Sequence, residues 1–168
     1  MFFGLNDESP IAVRETVKIA LHEKYDRKAP DTNEDTKDIF DIGLIRFKDL
    51  PPTGYSPIPI LSNYTLLKNG MQTTIAGYGQ TDAKKDASSG ILHDTKITIT
   101  NVNYSPTEIT GDESKSAACF GDSGGPLMIK ENGKFAIWGV ISRGDEDCKA
   151  YGIYTRVDVY KDWIASHE

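Results

Sequence analysis

Cys119-Phe120-Gly121-Asp122-Ser123-Gly124-Gly125-Pro126-Leu127 is the stretch on which the reading of this chain turns. Three glycines around one serine open backbone angles that other residues resist, and they let a second molecule approach the main-chain N–H groups closely. That backbone suits a serine nucleophile. When a hydroxyl attacks a carbonyl, the carbonyl oxygen becomes negative, and the N–H groups of Gly121 and Ser123 are candidates to receive it, each such donor being worth about 2.7 to 4 kcal/mol. A glycine-rich β-turn with an incidental serine is the plainer alternative, and the nine-residue string is far more specific than that alternative requires.

Outward from this stretch the chain alternates with period two. In Val17-Lys18-Ile19-Ala20-Leu21-His22 and in Lys96-Ile97-Thr98-Ile99-Thr100-Asn101-Val102 every second residue is apolar, which predicts half-buried strands. Ile42 to Phe47, Gln72 to Tyr78, Leu127 to Lys130, Phe135 to Ser142 and Gly152 to Val157 read as further strands, rich in β-branched and aromatic residues between turn formers. Many short strands with frequent turns predict an all-β barrel or sandwich. One helix is expected, over Val157 to Ala165, with Val157, Tyr160 and Ile164 on one face. The proline-rich run from Lys48 to Pro57 reads as a connection, and Thr81 to Ser89 and Asp112 to Ser116 as polar surface loops.

Composition narrows the function classes. The 168 residues are 38% hydrophobic and 26% charged, enough for a packed core. With 19 Lys and Arg against 25 Asp and Glu the net charge is −6, which leaves no basic surplus for nucleic-acid phosphates or an anionic membrane surface. No run approaches the length of a membrane-spanning helix, and the start Met1-Phe2-Phe3-Gly4 is not a signal peptide. Either the protein stays inside the cell or its true N-terminus lies upstream. Two cysteines, Cys119 and Cys148, exclude a four-Cys zinc site and allow one bridge. Asp41 lies within Ile39-Phe40-Asp41-Ile42-Gly43-Leu44-Ile45, where a carboxylate is expected to be buried and so to have hydrogen-bond partners.

The nine-residue string resembles the nucleophile segment of the chymotrypsin/trypsin-like serine peptidases, and other segments follow in the family's order. Phe40-Asp41-Ile42-Gly43-Leu44-Ile45 resembles the strand carrying the triad aspartate, and Ala76-Gly77-Tyr78-Gly79 the strand opening the second barrel. Trp138 to Gly144, Cys148 and Tyr151 to Val157 resemble the walls of the specificity pocket, and Tyr160-Lys161-Asp162-Trp163-Ile164 the C-terminal helix. The resemblance implies two six-stranded antiparallel β-barrels with a C-terminal helix, the first barrel incomplete. Residues 1–68 would be the end of the first barrel and the linker, and 69–168 the second barrel and helix. It implies Ser123 as nucleophile, Asp41 as the residue orienting a histidine, Gly121 and Ser123 as the oxyanion hole, and Asp122 as a structural carboxylate. Ser142 would hydrogen-bond Asp41, and Cys119 would be bridged to Cys148, in an oxidising compartment such as the cell exterior or a periplasm.

Pocket residues by the same resemblance are Ala117, Ser142, Arg143, Gly144 and Gly152. Ala117 stands where trypsin-like members carry an aspartate, so the glycines favour a large apolar side chain; against this, Asp145-Glu146-Asp147 lies beside the wall, where a solvated acidic loop is the plainer reading. Arg143 replaces the usual tryptophan. The family's histidine, in an Ala-Ala-His-Cys segment, is not found; His22, His93 and His167 read as structural. The expectation is a serine endopeptidase whose first segment is absent and which does not turn over peptides by itself, acting on protein or peptide substrates, with the missing segment or a protein inhibitor as further partner and no cofactor or metal. The alternative is an inactive module of the same fold. An α/β-hydrolase also fits Gly121-Asp122-Ser123-Gly124-Gly125, but Gly124-Gly125-Pro126 breaks the helix that fold needs.

Overall fold

The computed structural model describes residues 1–25, 28, 37–83 and 89–167. Residues 84–88, within the expected loop Thr81 to Ser89, lie outside them. Ten strands are present among the described residues. They are β1 (Phe2–Phe3), β2 (Ala12–Val13), β3 (Thr16–Leu21), β4 (Gly43–Phe47), β5 (Gln72–Gly77), β6 (His93–Asn101), β7 (Glu108–Asp112), β8 (Pro126–Glu131), β9 (Lys134–Gly144) and β10 (Tyr151–Arg156). A single turn of 3₁₀ helix at Asp158–Tyr160 leads into α1 (Lys161–Ser166).

Six strands close into an antiparallel barrel in the order β10-β7-β6-β5-β8-β9. Closure leaves no sheet edge, and bulges at Leu127/Met128, Ile99/Asn101 and Ile153/Tyr154 supply the bends it needs. Alternation puts Ile97, Ile99, Leu127 and Ile129 inward, around Trp138 and Tyr154, which are both fully buried and meet edge to face at 6.0 Å. The indole N–H of Trp138 donates to Thr73 Oγ1 at 2.8 Å, and that hydroxyl donates to Met128 O at 2.9 Å, so the largest core side chain leaves no polar atom unpaired. Val157 and Tyr160 bury the start of the C-terminal turn against this barrel. The all-β expectation with a terminal helix therefore holds, and the strand β8 directly after Ser123 excludes the α/β-hydrolase elbow.

Residues 1–68 contribute two two-stranded sheets, β1–β2 and β3–β4, among the described residues. The expected half-burial of β3 is corrected here: Val17, Ile19 and Leu21 are 53%, 64% and 43% exposed. The alternation is real, but β3 pairs with β4 alone and no described element covers that face. β7 escaped the sequence reading because Glu108 and Gly111 interrupt its apolar pattern. Its Glu108 is buried with the guanidinium of Arg143 as counter-ion.

Candidate active site

Ser123 sits at an exposed turn between the barrel strands. Gly121 and Gly124 flank it with φ of 96° and 83°, left-handed angles that favour glycine. The turn is laced by backbone bonds: Asp122 N to Cys119 O at 2.9 Å, Gly125 N to Asp122 O at 2.8 Å and Gly124 N to Ile141 O at 2.9 Å. Asp122 turns its carboxylate back toward β5, accepting from Gly79 N at 2.8 Å and Cys119 N at 2.9 Å. A Cβ on Gly77 would lie 2.0 Å from Asp122 Oδ1, so glycine there makes room for the carboxylate.

A cavity of about 380 Å³ opens beside Ser123, lined also by Asp41, Ser142, Gly144, Ala118 and Glu113. The structure thus brings Ser123 and Asp41, 82 positions apart in sequence, into one cavity. Asp41 is half-buried rather than fully buried. Its Oδ2 accepts from Ser142 Oγ at 2.8 Å and its carbonyl from Thr155 Oγ1 at 2.8 Å. The segment before it is anchored by Asp38, whose N–H donates to Glu108 Oε2 at 3.0 Å and whose carboxylate accepts from Ser105 and Thr107. Burial pushes the Asp38 carboxyl up, but these donors outweigh it and hold it below the ordinary aspartate range.

Cys119 and Cys148 form a disulfide with Cα atoms 5.3 Å apart, tying the serine turn to the loop after β9. Arg143, near the end of β9, also lines this cavity, but its guanidinium is taken: Nη1 meets Glu108 Oε1 at 2.7 Å and Nη2 meets Oε2 at 3.2 Å, both side chains being almost wholly buried. Asp145 caps the next loop, accepting from the N–H groups of Lys149, Ala150 and Tyr151. Burial raises its carboxyl, and these N–H donors more than reverse the effect, leaving it below its ordinary value. Ala117 lines an adjoining cavity of about 600 Å³ with Asp122, His93 and Glu113.

Glu113 is the residue the sequence reading misplaced. The run Asp112 to Ser116 reads as an exposed polar loop, yet Asp112 ends β7 and Glu113 is 3% exposed. The ladder carries it inward, its N–H donating to Ala150 O at 3.1 Å, while its side chain accepts from Tyr154 Oη at 2.7 Å and Ala118 N at 3.3 Å. A glutamate flanked by Asp, Ser and Lys carries no local signal of burial.

None of the three histidines lines the cavity of Ser123 and Asp41. His22 is stacked on Phe40 and packed against Tyr160 and Trp163, with Nδ1 accepting from Lys24 N at 3.2 Å. His93 opens β6, and His167 Nδ1 lies 2.8 Å from Trp163 O.

The trypsin family model matches residues 5–164. Among curated relatives, chymotrypsin of Phaedon cochleariae is 31% identical over 163 residues, covering 88% of this chain and 54% of the relative. Duodenase-1 of Bos taurus is 34% identical over 149 residues, covering 82% and 57%. Vitamin K-dependent protein C of Oryctolagus cuniculus is 27% identical over 175 residues, covering 89% and 36%. The chain thus spans between about a third and somewhat over half of the length of these relatives. Matched over nearly its whole length, and carrying the closed barrel and, within it, the glycine-flanked serine turn bridged by Cys119 and Cys148, the chain belongs to the trypsin family of serine proteases.

Proposed function

We propose that this chain carries the nucleophile half of a serine endopeptidase, the observation that carries the reading being that Ser123 and the Ser142-bonded carboxylate of Asp41 share one cavity. Ser123 Oγ attacks the peptide carbonyl carbon as its proton passes to an imidazole. The carbonyl oxygen, now negative, is received by the N–H groups of Gly121 and Ser123. Collapse breaks the C–N bond, the amine leaves with the imidazolium proton, and water then cleaves the acyl-serine ester with the same base. Asp41 orients that imidazole and balances its charge, and Ser142 fixes the carboxylate that does so. Asp122 acts on the shape of the oxyanion turn. Residues 1–68 are assigned to the first barrel and linker, and 69–168 to the second barrel and helix. The disulfide supports an oxidising setting, outside the cell or in a periplasm.

A serine without a neighbouring base is a weak nucleophile. Because His22, His93 and His167 are all held elsewhere, turnover requires an imidazole that these residues do not furnish, from a further segment of polypeptide. The same observation favours a second reading, an inactive interaction module of this fold, whose partner is a protein such as an inhibitor. Treating the longest form of the protein in its native source with a fluorophosphonate separates the two. Adduct formation on Ser123 is the expected result, and its absence alongside intact folding favours the module. For the 168-residue chain itself, peptide hydrolysis is expected to equal that of Ser123→Ala. Hydrolysis above that level overturns the requirement for an outside base.

A further inference from the structure

We propose that Glu113 is the acidic anchor of the side-chain pocket beside Ser123, so that the site takes a substrate residue bearing a cationic side chain, lysine or arginine. The assignment rests on the peptidase reading of the same cavity, and it reverses the apolar preference that Ala117 suggests.

Glu113 lines the cavity that holds Ser123, Ser142 and Gly144, while being 3% exposed. Its carboxylate occupies space that a wall glycine leaves open, since a Cβ on Gly152 would lie 2.6 Å from Oε1, while Oε2 is on the side of Gly144, 3.8 Å from where a Cβ there would sit. Both hydrogen bonds it accepts come from neutral donors and go to Oε1, from Tyr154 Oη and Ala118 N. No ion pair among the described residues includes Glu113. The charges that act on it are those of Asp145 and Asp122, anions like itself. The arginine of this wall, Arg143, is already committed to Glu108.

A buried carboxylate with neutral donors and anionic neighbours is poorly stabilised in its charged form, and burial accordingly pushes the Glu113 carboxyl above its ordinary value. An incoming ammonium or guanidinium supplies the missing counter-charge, at Oε2 on the Gly144 side, which accepts neither of the two hydrogen bonds made to Oε1. Asp145 and Glu146 also line the cavity, but Asp145 is saturated by backbone N–H groups of its own loop. Glu146 is exposed, where water screens its charge, so Glu113 is the buried carboxylate of the cavity to which a cation adds a bond rather than replaces one.

The probe is p-aminobenzamidine, an aromatic amidinium, titrated into the full chain beside its neutral counterpart p-aminobenzamide. The amidinium is expected to bind the wild-type chain on the order of 10- to 100-fold more tightly than the amide, the worth of a hydrogen bond to a charged group. Glu113→Gln keeps an acceptor at Oε1 for Tyr154 and Ala118, and is expected to abolish that preference, while Glu113→Asp keeps part of it. Equal binding of the two probes by the wild-type chain overturns the proposal without recourse to any variant, as does an undiminished preference in a folded Glu113→Gln. Neither measurement needs a nucleophile. Failure of Ser123 to take a fluorophosphonate with amidinium binding intact removes the peptidase reading alone, and loss of the amidinium preference with labelling intact removes the anchor alone.

Discussion

Replacing Glu108 by glutamine tests a fully buried ion pair beside the site. Glu108 and Arg143 retain 1% and 2% of their side-chain exposure and meet through two N–O contacts, 2.7 and 3.2 Å. The substitution keeps the shape and one acceptor, but it leaves the guanidinium without a counter-ion and turns an amide NH₂ toward it. Removing one partner of such a pair costs about 3–5 kcal/mol, because the surviving charge stays out of water. With a urea dependence of about 2 kcal/mol per molar for a chain of this size, the unfolding midpoint is expected to fall by about 1.5–2.5 M. The effect reaches the site, since Glu108 Oε2 also accepts from Asp38 N, three residues before Asp41. Urea unfolding followed by tryptophan fluorescence reads the midpoint, repeated at high salt, where a desolvated pair is screened little. The double variant Glu108→Leu with Arg143→Met is expected to recover most of the loss, because replacing both charges removes the desolvation penalty as well as the attraction. A loss under about 1 kcal/mol in the single variant, the worth of an exposed pair, refutes the claim that this pair is desolvated. A double variant as weak as the single one refutes the claim that the stranded charge is the cause.

Replacing both Cys119 and Cys148 by serine opens a loop with a sequence separation of 29. The expected cost is about 3.5 kcal/mol in the chain-entropy treatment, read as a lower thermal midpoint that added reductant no longer shifts. Thr73→Val leaves the Trp138 indole N–H buried and unpaired, and is expected to cost about 1–3 kcal/mol by denaturant titration. Glu113 gives the chain a pH signature. A carboxyl raised in the folded state adds stability that is complete below its unfolded pKa and lost as pH climbs through the folded one. Glu113→Gln is therefore expected to match the wild type in thermal midpoint near pH 4 and to exceed it by pH 8, and a constant difference across that range contradicts the assignment.

Seven of the strands were legible in the chain because period-two alternation and β-branched residues report an extended, pleated segment directly, whether or not its apolar face is covered. The serine turn was legible because glycines at Gly121 and Gly124 are needed for the left-handed angles found there. β7 and β3 show the limit of that signal. β7 hides its burial behind Glu108, whose neutralising partner lies 35 positions away. β3 carries an apolar stripe whose fate depends on what covers it, and nothing in its own residues says.

What the sequence by itself determined was the glycine-flanked serine turn, the pair of cysteines, the all-β class and Asp41 as a carboxylate in need of partners, since each is a property of residues near one another along the chain. Tertiary structure alone decided that Asp41 and Ser123 open onto one cavity, that Arg143 is spent on Glu108, that His22, His93 and His167 lie outside the lining of that cavity, and that the Glu113 carboxylate lies against Gly152. Those facts depend on which strands close the barrel, because burial and charge pairing are set by neighbours in space, and a glutamate in a polar run reads the same whether its ladder turns it to solvent or to the core.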